Sequence, residues 1–326
     1  MPGQGSIGKI IRAFNMSMPG LEGKRWDVLG IGGCAVDELV MLDRFPEPDS
    51  KMPVQGLQRQ GGGLTATALT AAARLGAGAA YCARLGGDEL SLYTLDQLEL
   101  EGVDCSPCRR QPAGRPDHSV ILIDTVRHTR TILYDRGDFD PGADWVTSQL
   151  VGRCRVLLID HRAPLAGLRA AVTANALGIP VVADVEWEVF PGIDAFLAAV
   201  DHLIIGSRLA RLWSKAGTAE GALEALRSAG RACAVVTDGG NGCWYSENGG
   251  RPRYQPAFQV EVADTTGCGD VFHGAYAAAL ARGLPVEQAV RIASGAAAVK
   301  ATRTGGRAGI PNWVQLQEFL RSQAGG

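Results

Sequence analysis

No apolar run in this 326-residue sequence approaches the ~20 residues of a bilayer-spanning helix. An excess of either charge is also missing: 32 Lys and Arg stand against 34 Asp and Glu, a formal net charge of −2. A surface for nucleic acid or an acidic membrane would need a basic bias, so neither is an expected partner, and a small-molecule ligand is. The eight cysteines show no disulfide or zinc spacing. The one close pair, Cys105 and Cys108, has no second pair or nearby His at ligand spacing and reads as two small residues in a turn. A reduced, cytoplasmic protein is the expectation. Residues 1–24 lack the apolar core and cleavage site of a signal peptide and read as a flexible N-terminal extension. What remains is long enough for one large α/β domain with a full core.

From residue 155 onward the pattern is regular. Strands are predicted over 156–160, 180–184 and 202–205, alternating with helices over 165–177, 193–200 and 209–215. That alternation implies parallel βαβ units and a sheet covered on both faces, with ligands beyond the carboxyl ends of its strands. Before it, strands are predicted over 26–32, 36–42, 52–57 and 79–85. Helices follow Gly61-Gly62-Gly63 and span 88–101, and a hairpin-like pair occupies 119–124 and 129–134. After it come strands over 232–237, 243–246 and 254–262, then two Ala-rich helices, the second over 286–301. Gly30-Ile31-Gly32-Gly33 is no dinucleotide fingerprint: the third glycine is missing and no clear helix follows.

The chemistry concentrates in Asp264-Thr265-Thr266-Gly267-Cys268-Gly269-Asp270, between a strand-like segment and a helix. The first N–H groups of a helix lack intrahelical partners and, with the positive end of the helix dipole, form an anion site that Gly267 and Gly269 let an anion approach. An Asp at its mouth needs a reason to be there. Phosphoryl transfer supplies one, because an acceptor hydroxyl must lose its proton beside a phosphate whose charge those N–H groups hold. Taken alone, the phrase is equally a Gly-rich loop ending in an ordinary N-terminal Asp.

The whole stretch closely resembles the second signature of the ribokinase-like (PfkB) carbohydrate kinases. Gly61-Gly62-Gly63-Leu64-Thr65-Ala66-Thr67-Ala68 looks like the first signature, with Thr67 where the family carries a sugar-binding Asn. The resemblance spans about 26–320. It implies a doubly wound, mostly parallel sheet with helices on both faces, and a small β-sheet lid over about 36–60 and 117–137 of a kinase domain at 25–326. Asp270 is implied as catalytic base, and Gly267, Cys268 and Gly269 as the anion hole. Thr237, Gly239 and Gly242 match a phrase that cradles the phosphates of ATP, and Asp37, Gly62, Gly63 and Thr67 match the sugar site. Asp264 and Thr266 match part of a K+ site, and homodimerisation through the lid sheet is implied. The family's Asn-x-x-Glu, which supports Mg2+, is absent: Ile205-Gly206-Ser207-Arg208 stands in its place. A thiol at a helix N-terminus has a lowered pKa, so Cys268 is expected to be sensitive to peroxide.

Within the family, Gly61-Gly62-Gly63, Asp270-Val271-Phe272-His273-Gly274 and Gly305-Gly306-Arg307-Ala308-Gly309-Ile310-Pro311 look most like bacterial kinases of 6-deoxy-6-sulfofructose. Arg162 after a strand's carboxyl end and Lys51 before the strand expected over the cleft suggest an acceptor with an anionic group, since a guanidinium grips phosphate or sulfonate through paired hydrogen bonds. The expected reaction moves the γ-phosphate of ATP to the 1-hydroxyl of fructose 6-phosphate or sulfofructose. Alternatives are a neutral-sugar kinase, a nucleoside kinase, for which the lid offers little aromatic surface beyond Phe45 and Tyr134, and a non-catalytic sugar-binding regulator on a kinase fold.

Overall fold

The computed structural model describes residues 24–127, 129–186, 190–227 and 230–323; nearly all of the expected N-terminal extension lies outside them. Strands are β1 (Trp26–Ile31), β2 (Ala35–Leu42), β3 (Gly56–Gly62), β4 (Ala79–Cys82), β5 (Arg84–Leu85), β6 (Arg109–Arg110) and β7 (Asp117–Asp124). They continue as β8 (Thr129–Asp135), β9 (Cys154–Asp160), β10 (Val181–Asp184), β11 (His202–Gly206), β12 (Cys233–Thr237), β13 (Cys243–Glu247) and β14 (Arg253–Gln255). Helices are α1 (Leu64–Arg74), α2 (Glu89–Leu100), α3 (Ser148–Val151), α4 (Pro164–Ala176) and α5 (Ile193–Ala198). Then come α6 (Ser207–Ser214), α7 (Ala219–Leu226), α8 (Cys268–Ala281), α9 (Val286–Ala301) and α10 (Trp313–Ser322).

The main sheet has the order β14-β13-β12-β11-β10-β9-β1-β4 and is parallel except for its last two pairings, β12 with β13 and β13 with β14. Successive side chains of a strand point to opposite faces, and here both faces are apolar. Val28, Val156, Leu158 and Val235 join one core with α1, α8 and α9, while Leu29, Leu157, Ile159 and Val236 join the other with α4 to α7. A separate four-stranded sheet, β3-β2-β7-β8, carries the two segments expected to form the lid.

Three boundaries depart from the expectation. The strand predicted over 52–57 is displaced to Gly56–Gly62, because β3 pairs antiparallel with β2 from Met41↔Gly56 to Ala35↔Gly62 and so absorbs two of the three glycines. The run at 79–85 divides at Ala83: β4 belongs to the main sheet and β5 pairs with β6 instead. The strand predicted over 254–262 is only Arg253–Gln255, since Pro256 has no N–H to continue the ladder. Three helices were not anticipated: the one-turn α3, capped by Thr147, and α7 and α10. Thr218 caps α7 by accepting from the Gly221 N–H, and Asn312 with Gln315 forms a capping box on α10.

Candidate active site

The signature loop is built from the residue types that the helix start requires. Gly267 caps α8 at φ 75°, a left-handed conformation, and Cys268, Gly269 and Asp270 form the helix's first turn. Asp264 braces the loop: its Oδ1 accepts from the Thr266 N–H at 2.8 Å and hydroxyl at 2.7 Å, and its Oδ2 from the Gly305 N–H at 2.9 Å. Burial works against that carboxylate, but these hydrogen bonds and the charge of Lys300 hold its pKa below the ordinary value.

Asp270 is half-buried on the first turn. Burial raises its pKa well above the usual carboxylate range, and the like charges of Glu186 and Asp160 push the same way, opposed by Arg307. A carboxylate so perturbed is a stronger base, which suits proton abstraction near neutral pH. One turn on, His273 fixes the helix end against the sheet. Its Nδ1 lies 2.8 Å from the Gly269 carbonyl and 3.2 Å from Asp184 Oδ2, and its Nε2 lies 3.1 Å from the Ile204 carbonyl. Burial lowers the His273 pKa and raises that of Asp184, so the pair resists carrying two charges.

On one side of this turn, Thr237, Gly239, Gly242, Cys268 and Gly269 line a single cleft of about 200 Å³ that is partly open to solvent. Ala257, Phe258, Val260, Val262 and Ala297 make its wall largely apolar, so a flat heterocycle would find apolar surface and phosphates would find the helix start. Of the residues expected to bind the nucleotide, Thr237, Gly239, Gly242 and Gly269 line this cleft, whereas Gly267 is the helix cap next to it.

On the other side lie Asp37, Gly62 and Thr67. Asp37 is 9% exposed and its pKa is raised by burial, against a hydrogen bond from Ser119 and the charge of Arg307. A Cβ on Gly62 would collide with its carboxylate. Asp160, at the carboxyl end of β9, ties this side together: Oδ2 accepts from the Gly33 N–H at 2.7 Å, the Thr65 N–H at 3.2 Å and the Thr65 hydroxyl at 2.7 Å.

The cations differ from the sequence expectation. Lys51 is exposed in the segment before β3 and does not line the cleft under the small sheet. The displaced strand is the reason: Gly56 pairs with Met41 and Gly62 with Ala35, so Lys51 precedes the end of β3 opposite Gly62. Arg162 does stand two residues beyond β9, but its Nη2 is bonded to both oxygens of Asp117 at 3.0 and 2.8 Å. The guanidinium deepest in the site is Arg307, which the sequence offered only inside the Gly305–Pro311 phrase. Its Nη2 donates to the Gly62 carbonyl at 2.8 Å and its Nε to the Thr67 hydroxyl at 3.3 Å, and it lowers the pKa of both Asp37 and Asp270. Thr67 is thus engaged by a protein side chain. Arg307 follows Gly305-Gly306 in the sequence, and a charge inside a Gly-rich phrase was the one available signal.

Cys268 is a correction. Its pKa is raised, first by burial and then by the negative charges of Asp264 and Asp270, with Lys300 opposing. The helix-start effect that favours a thiolate is outweighed. All eight cysteines are free thiols, and the Cys108 N–H donates to the Cys105 carbonyl at 3.0 Å in the anticipated turn.

The sequence profile of the pfkB family carbohydrate kinases matches residues 29–313. The chain is 27% identical over 297 residues to the ribokinase of Bacillus subtilis, covering 89% of this chain and 98% of that one. It is 26% identical to the ATP-dependent ribose-1-phosphate kinase of Halopiger xanaduensis, covering 90% and 97%. Its fold superposes on a ribokinase candidate from Agrobacterium tumefaciens with a TM-score of 0.86 at 29% identity, covering 92% and 99%. On the ribokinase of Arabidopsis thaliana complexed with ribose and ATP, the TM-score is 0.76 at 20% identity, covering 91% and 99%. With the glycine-rich loop at the start of α8, the buried carboxylates and the apolar cleft in these places, the chain belongs to the pfkB family of carbohydrate kinases, which transfer a phosphoryl group to a sugar hydroxyl.

Proposed function

We propose that the protein transfers the γ-phosphoryl group of ATP to a hydroxyl of a sugar bearing an anionic group, with Asp270 as the base. The observation that carries the reaction is the place of Asp270: on the first turn of α8, between the Thr237–Gly242 cleft and the Asp37, Gly62 and Arg307 group. Asp270 takes the acceptor's proton, and the N–H groups at the start of α8 stabilise the charge that develops on the transferred group. Mg2+, bound together with ATP, would neutralise part of the phosphate charge. Glu186, whose charge raises the pKa of both Asp184 and Asp270, and Asp184 are the side chains that would hold that ion's waters, in place of the missing Asn-x-x-Glu.

The anionic acceptor is supported by Arg307, assisted by Arg162. The name of the Halopiger enzyme also describes a phosphorylated sugar as its acceptor. The neutral-sugar reading has its own support, the bond from Arg162 to Asp117 and the ribokinases among the relatives. ATP consumption with fructose 6-phosphate, 6-deoxy-6-sulfofructose and ribose 1-phosphate, set against fructose and ribose, separates the two. We expect kcat/KM about tenfold or more higher for the anionic sugars, the worth of one charged hydrogen bond. If fructose or ribose is the better substrate, the acceptor is neutral; if no sugar drives ATP consumption, the protein is a sugar-binding regulator. The four-stranded sheet serves as a lid and as a homodimer contact, supported by exposed Leu57, Ile132, Leu133 and Tyr134 on its edge strands. Sedimentation would detect the dimer.

A further inference from the structure

Lys300 is a fully buried lysine, with 0% of its surface exposed, in the last turn of α9. Its Nζ donates to the main-chain carbonyl of Asp264 at 2.8 Å. The Ala301 carbonyl, at the same helix end, accepts from the N–H groups of Ala263 at 2.8 Å and Asp264 at 3.1 Å, so the loop is docked on the negative pole of α9. A second cation arrives from the small sheet: Nη1 of Arg130 on β8 lies 2.7 Å from the Thr266 hydroxyl and 3.3 Å from Asp264 Oδ1. Lys300 and Arg130 are therefore placed against the two residues that the family resemblance assigns to K+. Asp264 spends its other oxygen on Gly305. A metal cation added to this cluster would meet two like charges and find its side-chain ligands engaged, so these residues do not fit a K+ site.

We infer that the ammonium of Lys300, with the guanidinium of Arg130 beside it, takes the place of a monovalent metal cation behind the anion-hole loop, so that the kinase needs no K+. The inference rests on the reading of 264–270 as the anion-hole loop. A buried ammonium is costly unless it is paired: burial lowers the pKa of Lys300, the nearby charges of Asp264 and Asp270 oppose that, and the Asp264 carbonyl accepts its hydrogen bond. What a K+ would contribute, a fixed positive charge behind the phosphate-binding amides and a tie between two segments, is then covalent. Lys300 acts as a positioning residue: it touches no reacting atom, but it holds the Asp264 carbonyl three residues before the cap Gly267.

The test uses the intact protein at constant ionic strength in KCl, NaCl or tetramethylammonium chloride. Parent rates should agree within about twofold, whereas K+ activation of about fivefold or more, the lower end of ordinary coupling between sites, overturns the inference. Thermal unfolding in the same salts reads the site without catalysis: an unchanged parent Tm supports the inference, and a K+-specific rise overturns it. Lys300→Ala should lower kcat about tenfold or more in tetramethylammonium, as loss of a charged hydrogen bond would, with the loss restored by K+ or methylammonium. Lys300→Met, which fills the space, should lose activity without such rescue. A Lys300→Ala protein that runs at the parent rate in tetramethylammonium also overturns the inference. If that variant does not fold, the parent's salt series decides by itself, and if no sugar is phosphorylated in any salt, its Tm series still decides.

Discussion

Nη2 of Arg307 donates to the carbonyl oxygen of Gly62 across 2.8 Å and so joins two segments 245 residues apart at the acceptor side of the site. Its Nε holds the Thr67 hydroxyl, and its own carbonyl accepts from Arg74 at 2.9 Å, which fixes the backbone from which the side chain reaches. Arg307→Lys should therefore keep the charge but lose the fork. We expect the acceptor KM to rise about 10- to 150-fold, the equivalent of 1.5–3 kcal/mol, with the KM for ATP little changed. Steady-state kinetics with each substrate varied in turn check this, and a variant that shifts only the KM for ATP would place Arg307 on the nucleotide side.

Asp270→Asn removes the proposed base while preserving shape. The rate should fall by about 10²- to 10⁴-fold with the sugar KM nearly unchanged. A variant that phosphorylates sugar at close to the parent rate would remove Asp270 from the mechanism.

The raised pKa of Asp270 has two consequences with defined sign. The base must be ionised, so kcat/KM should fall as pH drops through a value above the ordinary Asp range of about 4, and this acid limb should vanish in Asp270→Asn. A carboxyl whose folded pKa exceeds its unfolded one stabilises the protein below the unfolded value, and that contribution is lost as pH rises through the folded value. Asp270→Asn should accordingly melt above the parent at pH 8, and the difference should shrink on acidification. Melting curves from pH 5 to pH 8, above the ordinary Asp value, provide the check.

Cys268 should be slow toward peroxide and alkylating reagents at pH 7, because its thiol is raised above its ordinary pKa and the other seven cysteines are buried. Parent and Cys268→Ala should lose activity at the same rate in peroxide. Selective protection by the substitution would show that the thiolate is populated after all.

Gly267→Ala should cost activity and stability together. At φ 75° an added Cβ faces the αL penalty and would sit 2.7 Å from the Gly306 carbonyl oxygen. We expect about 1–2 kcal/mol of lost stability and a misplaced anion hole. Equal kcat and equal Tm in parent and variant would mean that the loop tolerates another conformation.

The parallel half of the main sheet was legible because each strand from β9 to β12 is buried on both faces, and a continuous apolar run bounded by glycine or a cap leaves little choice. The ends of β3 and β14 were less so. Gly61 and Gly62 look like a helix start in isolation, and only pairing with β2 makes them strand. The helix α7, with Ala219, Ala222 and Leu223 buried and a Thr cap, did carry a local signal that went unused.

Local chemistry in the sequence was enough to place the glycines at the start of α8, the Asp on its first turn and the glycines that border the Thr237–Gly242 cleft. Each depends on backbone conformation and on groups within a few residues of one another, and such constraints are written in adjacent letters. The charge state of the site was decided by tertiary structure alone. Arg162 meets Asp117, Arg307 reaches Gly62 and Thr67, and Lys300 and Arg130 converge on the Asp264–Thr266 loop from a helix and from a different sheet. The partner of a long cationic side chain is whatever acceptor lies within its reach in space, and burial then sets whether a carboxyl or thiol stays ionised. Both depend on distances between segments far apart in the chain, and no spacing along the sequence encodes them.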